Sequence, residues 1–109
     1  MTMRIAITAL LLANSIICVH ADEVPAPRKR GEALAERMCA SCHAIGRADQ
    51  SLHLGAPALR ALDRRVDIDG FVARLRDGLT SGHPDMPTYR FTRADARALV
   101  AYLRSIEAP

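Results

Sequence analysis

Tryptophan is absent from this 109-residue chain, which holds only two tyrosines and two phenylalanines. The length allows one small domain, and domains of that size have a poor ratio of core to surface. With so few rings to bury, the chain is short of core unless a staple or a bulky apolar cofactor completes it. Strong charge of either sign is also missing. A net charge of +3, with no basic face interleaved with aromatics, argues against a nucleic-acid partner. No segment alternates polar and apolar residues as a half-buried strand would, and nothing repeats. That pattern predicts an all-α domain.

Long apolar runs are missing too, with one exception. Arg4 precedes a mostly apolar stretch, residues 5–19, and Val19-His20-Ala21 then places a small residue before Asp22. A basic start, an apolar centre and a small-residue cleavage site are the parts of a secretory signal. The run is short of the roughly twenty apolar residues that span a bilayer, and Thr8, Asn14 and Ser15 interrupt it. Residues 1–21 are therefore expected to be a signal peptide that delivers the protein to the periplasm, with no stable membrane insertion after cleavage. Cys18 leaves with that segment. Ile17 before it is too large for a lipoprotein box.

Residues 22–30, D-E-V-P-A-P-R-K-R, hold two prolines and a basic triplet and read as a flexible leader. The domain is expected to occupy residues 31–109. From Gly31, the positions Leu34, Met38 and Cys42 recur every four residues and predict a first helix that ends at Gly46. Residues 44–57 read as loop. Leu59, Leu62 and Val66 suggest a short helical piece. Asp67 or Asp69 would then cap a helix carrying Ile68, Phe71, Val72 and Leu75 on one face, with Gly78 past its end. Residues 78–91 lack periodicity, and a loop of that length in so small a domain points to function or to disorder. Thr92, with Asp95 three residues later, approximates a capping box for a last helix bearing Leu99, Tyr102, Leu103 and Ile106.

The two cysteines left after cleavage stand in R-M-C-A-S-C-H, residues 37–43. On a helix, at about 100° per residue, Cys39, Cys42 and His43 project within one arc. Two thiols can then bond one edge of a flat macrocycle while the imidazole reaches the metal at its centre. C-x-x-C-H is the signature of covalent c-type haem attachment. A zinc site needs a second pair of ligands, and His53 and His83 are too far apart in the chain to be one. A thioredoxin-like dithiol needs a βαβ setting. A disulfide across two residues of a helix closes almost no loop.

The remaining axial position falls to Met86, in G-H-P-D-M-P. Pro84 and Pro87 bracket it, which reduces the freedom of an unligated loop. His83 and His53 are the rival sixth ligands, and an open iron is the further alternative. Met38 directly precedes Cys39, so it is not expected to reach the far haem face.

With these motifs in order, residues 31–106 resemble a small class I cytochrome c. Gly31 resembles the glycine where the family's first and last helices cross, and L-V-A-Y-L at 99–103 resembles its terminal-helix signature, with Leu99 and Tyr102 packing near Gly31 and Ala35. G-A-P-A-L at 55–59 resembles its Gly-Pro-x-Leu segment, which implies that the Pro57 carbonyl accepts the proton on the ligand histidine's far nitrogen. M-P at 86–87 matches the methionine-ligand motif. Two departures stand out: Ala56 separates Gly55 from Pro57, and the tryptophan that contacts a haem propionate in some relatives is missing. Arg47, Arg60 and Tyr89 are available in its place.

The resemblance implies three to five helices around one covalent haem c with a single iron, held by Cys39, Cys42, His43, Pro57 and Met86. It implies a one-electron carrier rather than an enzyme. The donor would be a dehydrogenase or quinol-oxidising complex and the acceptor an oxidase or reductase. A haem subunit of a periplasmic dehydrogenase, or an open-haem ligand-binding or sensor module, are the alternatives.

Overall fold

A computed structural model describes residues 26–109. Residues 1–21, expected to be a signal peptide and including Cys18, and residues 22–25 lie outside the described residues. Three α-helices and one 3₁₀ turn follow in order: α1 (Ala26–Met38), the 3₁₀ turn (Leu59–Arg64), α2 (Phe71–Asp77) and α3 (Arg93–Ile106). No strand occurs among the described residues, and the fold is all-α.

Helix α1 starts inside the segment read as leader, and residues 26–30 form its first turns. Pro27 falls in the first turn, where its missing N–H removes no helical bond. Arg30 of the basic triplet then reaches across to α3, where its Nε donates to Asp95 Oδ1 at 2.7 Å. Asp95 sits in the first turn of α3, where the helix dipole favours a carboxylate.

The other end of α1 also departs from the expected boundary. The helix stops at Met38, not at Gly46. The Ala35 carbonyl accepts from both Cys39 N (2.9 Å) and Ala40 N (3.0 Å), and the second of these is the 6→1 bond that closes helix termini. A further turn follows, in which Cys42 N and His43 N both donate to Cys39 O. The cysteine motif therefore lies on a tight helical turn appended to α1.

Helices α1 and α3 cross through small residues. Gly31 and Ala35 are buried on α1, and Ala98 is buried on α3. A Cβ on Gly31 would overlap the Ala98 carbonyl and stand 2.7 Å from Tyr102 Cβ. Ala98, more than Leu99, is thus the close partner of Gly31. Small side chains let the axes approach, and ridges then settle into grooves. The Thr92 cap forms as the sequence suggests, with Thr92 Oγ1 accepting from Asp95 N at 3.1 Å.

Before α2, Asp67 accepts from the N–H groups of Asp69 and Gly70, both at 3.0 Å. Gly70, not an aspartate, holds the N-cap position. Asp69 pairs instead with Arg104 of α3. Gly78 ends α2 at φ +113°. Residues 78–91 are not an open loop: Leu79 N donates to Tyr89 O at 3.0 Å in a single antiparallel bridge. Phe91 N then donates to Leu75 O, which fastens this arm to α2. Leu59, Phe71, Leu75, Leu99 and Leu103 are buried between the elements. No helix among the described residues is long and apolar enough to cross a membrane.

Candidate functional site

Between α3, α2, the cysteine turn and the arm lies a cavity of about 420 Å³. That is within the roughly 300–1,000 Å³ of sites that enclose small molecules and cofactors. Cys39, Cys42, His43, Pro57 and Met86 all border it, with Leu59, Phe71, Leu75, Leu99 and Leu103 forming its apolar base.

His43 is oriented from behind. Its Nδ1 lies 2.7 Å from the Pro57 carbonyl and donates to it. The proton on Nδ1 leaves Nε2 with a free lone pair, which is the tautomer a metal-binding imidazole needs. The intervening residues hold Pro57 in place. Leu59 N donates to Ala44 O at 2.9 Å, and Ala44 N donates to Ser51 Oγ at 2.9 Å. His53 N donates to Cys42 O at 3.1 Å. Ala56 departs from the family pattern, yet Gly55, at φ +95°, turns the chain so that the Pro57 carbonyl still meets the ring.

Asp49 organises the start of this segment, accepting from Ile45 N and Gly46 N at 2.9 Å each. Burial pushes its carboxyl up. The N–H groups of Ile45, Gly46 and Asp49 itself, together with the Arg60 guanidinium, outweigh that and hold it below the usual range. Tyr102 ties the segment to α3, its hydroxyl donating to Ile45 O at 2.6 Å. Burial, reinforced by the Glu32, Asp49 and Glu36 carboxylates, raises the phenol and keeps it a donor at neutral pH.

Both thiols are free. Burial pushes the Cys39 thiol up to about 11, so at neutral pH it keeps its proton and is not poised as the thiolate of a redox dithiol. Among the described residues no three His, Cys, Asp or Glu side chains cluster as a zinc site would require.

Met86 is half-buried on the arm, at the end of a turn in which its N–H donates to the His83 carbonyl at 3.2 Å. His53, His83 and Met38 also border the cavity. His53 Nε2 stands 3.6 Å from Asp85 Oδ2. Of the three residues available for a propionate, only Tyr89 borders the cavity. Arg47 donates to the Ser105 carbonyl, and Arg60 to the carbonyls of Gly46 and Asp49.

Sequence reasoning missed the arginines that do border it, Arg65 and Arg74. Arg74 lies over the Phe71 ring, 5.6 Å from its centroid, and neither arginine has a carboxylate partner among the described residues. The available signal was their place beside Val66 and Leu75, at the edge of an apolar face.

The donor set fits a haem attached through cysteines. Two thiols and an imidazole with a free nitrogen share an apolar cavity with a thioether and two guanidinium groups that have no carboxylate partner among the described residues. Comparison with known proteins agrees. Residues 26–103 match the family model described as "Cytochrome C oxidase, cbb3-type, subunit III". Cytochrome c-552 of Bradyrhizobium diazoefficiens is 26% identical over 104 residues, covering 95% of this chain and 98% of the relative. No solved structure matches.

Proposed function

The chain belongs to the cytochrome c family that this model represents, a family of small bacterial haem c proteins that transfer electrons, and from that premise we propose that it is a periplasmic single-electron carrier with His43 and Met86 as its axial ligands. The observation that carries this reading is the hydrogen bond from His43 Nδ1 to the Pro57 carbonyl, beside two free thiols, at a cavity that Met86 also borders.

When bound, the haem supplies a one-electron iron couple. The chain's own groups do the rest. Cys39 and Cys42 would carry the haem as thioethers. His43 would offer Nε2 while Pro57 fixes its ring and raises its basicity. Met86 would fill the second axial position, and a His/Met pair raises the reduction potential. His43 and Met86 together would leave no open position for dioxygen or a substrate. Arg65 and Arg74 would face the haem carboxylates, where guanidinium forks suit carboxylate geometry. The leucines and Phe71 would exclude water. Residues 1–21 would export the chain, and the domain would exchange electrons with a dehydrogenase or quinol-oxidising complex and with an oxidase or reductase through brief, small interfaces.

The description of the matching family favours a second reading, a haem subunit of a larger oxidoreductase. Gel filtration of native extract decides between them: comigration with a large complex would replace the free carrier. The axial set is tested on purified holoprotein. Ferric protein should show the weak far-red band of sulfur-to-iron ligation, and the ferrous form should bind carbon monoxide slowly. A missing band with rapid carbon monoxide binding would instead establish an open-haem module.

A further inference from the structure

The arm that carries Met86 carries a second iron-binding group. His83 and Met86 are the two ends of one turn, closed by the bond from Met86 N to His83 O at 3.2 Å, with Pro84 second in it. The ends of such a turn lie within about 7 Å of each other at Cα. Both residues border the cavity. The His83 ring has no hydrogen-bonding or ionic partner among the described residues; only its backbone is engaged, the N–H donating to Ser81 Oγ at 3.1 Å and the carbonyl accepting from Met86 N.

The backbone beside His83 is sterically open. Gly82 immediately precedes His83 at φ +79°, and nothing lies within 4 Å of where its Cβ would be. Gly78, at φ +113°, stands at the base of the arm. Exchanging one end of the turn for the other would require a rearrangement at the tip of the arm, beyond the Leu79–Tyr89 bridge, where Gly82 lies in open space.

Few other nitrogens compete. Lys29 is the chain's one lysine, and it does not border the cavity. His53 borders the cavity but faces the Asp85 carboxylate at 3.6 Å and is tied through its backbone to Cys42. Guanidinium groups stay protonated and have no lone pair to give.

We propose that His83 is a standby axial ligand, which binds the haem iron whenever the Met86 thioether is lost. This rests on the His43/Met86 reading above. The exchange moves no atoms between groups: one iron–sulfur bond is replaced by one iron–nitrogen bond from the neutral imidazole. It would convert a high-potential His/Met site into a bis-histidine site of lower potential, rather than into an open haem.

The test uses ferric holoprotein with Met86→Leu, which keeps an apolar side chain of similar volume but has no donor. Met86→Ala is prepared in parallel, and whichever assembles decides. The single variant should lose the far-red sulfur band yet remain six-coordinate and low-spin by visible and electron paramagnetic resonance spectra. Adding His83→Ala should turn it high-spin, while adding His53→Ala should leave it low-spin. Imidazole should bind at least about tenfold more weakly to Met86→Leu than to Met86→Leu/His83→Ala, because it must displace His83. A high-spin single variant, or a low-spin state that survives His83→Ala, overturns the proposal. The wild-type spectrum keeps the two claims apart: its sulfur band tests Met86, and the variants test His83.

Discussion

Gly31 of α1 meets the Ala98 carbonyl of α3 so closely that a methyl group there has no room. The obstacle is backbone, which cannot rotate aside as a side-chain tip would. Gly31→Ala must therefore push the two helices apart or bend one of them. Overpacking of this kind costs about 1–3 kcal/mol, and the upper end is expected because the neighbour is rigid. The melting temperature of the holoprotein should fall by roughly 10 °C or more. Gly82→Ala is the control. Its Cβ would meet nothing, so only the strain of a positive φ, about 1–2 kcal/mol, should register.

The core predicts a dependence on the haem itself. The cavity of about 420 Å³ lies among Leu59, Phe71, Leu75, Leu99 and Leu103, with no tryptophan anywhere to fill it. Apolar walls that face a void lose both burial and dispersion contacts. Cys39→Ser with Cys42→Ser should leave the chain largely unfolded, read as loss of far-ultraviolet circular dichroism and of a cooperative melt. A helical apoprotein that melts cooperatively would contradict this account of the fold.

Much of this arrangement was legible in the residues, because the signals were local. Thr92 and Asp95 are three apart, and the cap between them forms. Gly31, where the helical pattern begins, matches the family's crossing glycine, and the close approach of Ala98 explains it. The cysteine–histidine spacing requires no tertiary information at all. What was not legible depends on distant partners. Residues 26–30 look disordered by composition, yet Arg30 has its carboxylate on α3, 65 residues away. The bridge between Leu79 and Tyr89 closes the methionine arm through one backbone pair, which leaves no trace in periodicity. Arg65 and Arg74 belong to no motif or spacing in the sequence, and only the fold brings them to the cavity.

Asp49 should give the fold a pH-dependent increment. Its carboxyl is held below the usual range by the N–H groups it accepts from and by Arg60, against the push of burial. A depressed folded-state value means the carboxylate stabilises the fold above the unfolded value, about 3.9. That contribution fades as the pH falls through the lower, folded-state value. Asp49→Asn should therefore be less stable than wild type at pH 7. The gap should narrow below about pH 4 and close in stronger acid. Denaturant midpoints at pH 7, 4 and 3 measure it, and a gap independent of pH would count against the carboxylate's role.

Arg74 should set part of the reduction potential. It borders the cavity, stacks over Phe71 and has no carboxylate partner among the described residues. A fixed positive charge at the cavity would disfavour the ferric state of a haem held there, since that state carries one more positive charge than the ferrous. Removing that charge in Arg74→Gln should stabilise the ferric form and lower the potential. Solvent at the mouth of the cavity screens the effect, so a shift of roughly 20–60 mV is expected, up to about tenfold in the one-electron equilibrium. Arg74→Lys keeps the charge and should recover most of it. Arg76, on the same helix, does not border the cavity, so Arg76→Gln should move the potential far less. Equal shifts from both glutamine variants would mean that net charge alone, rather than a guanidinium facing the haem, governs the couple.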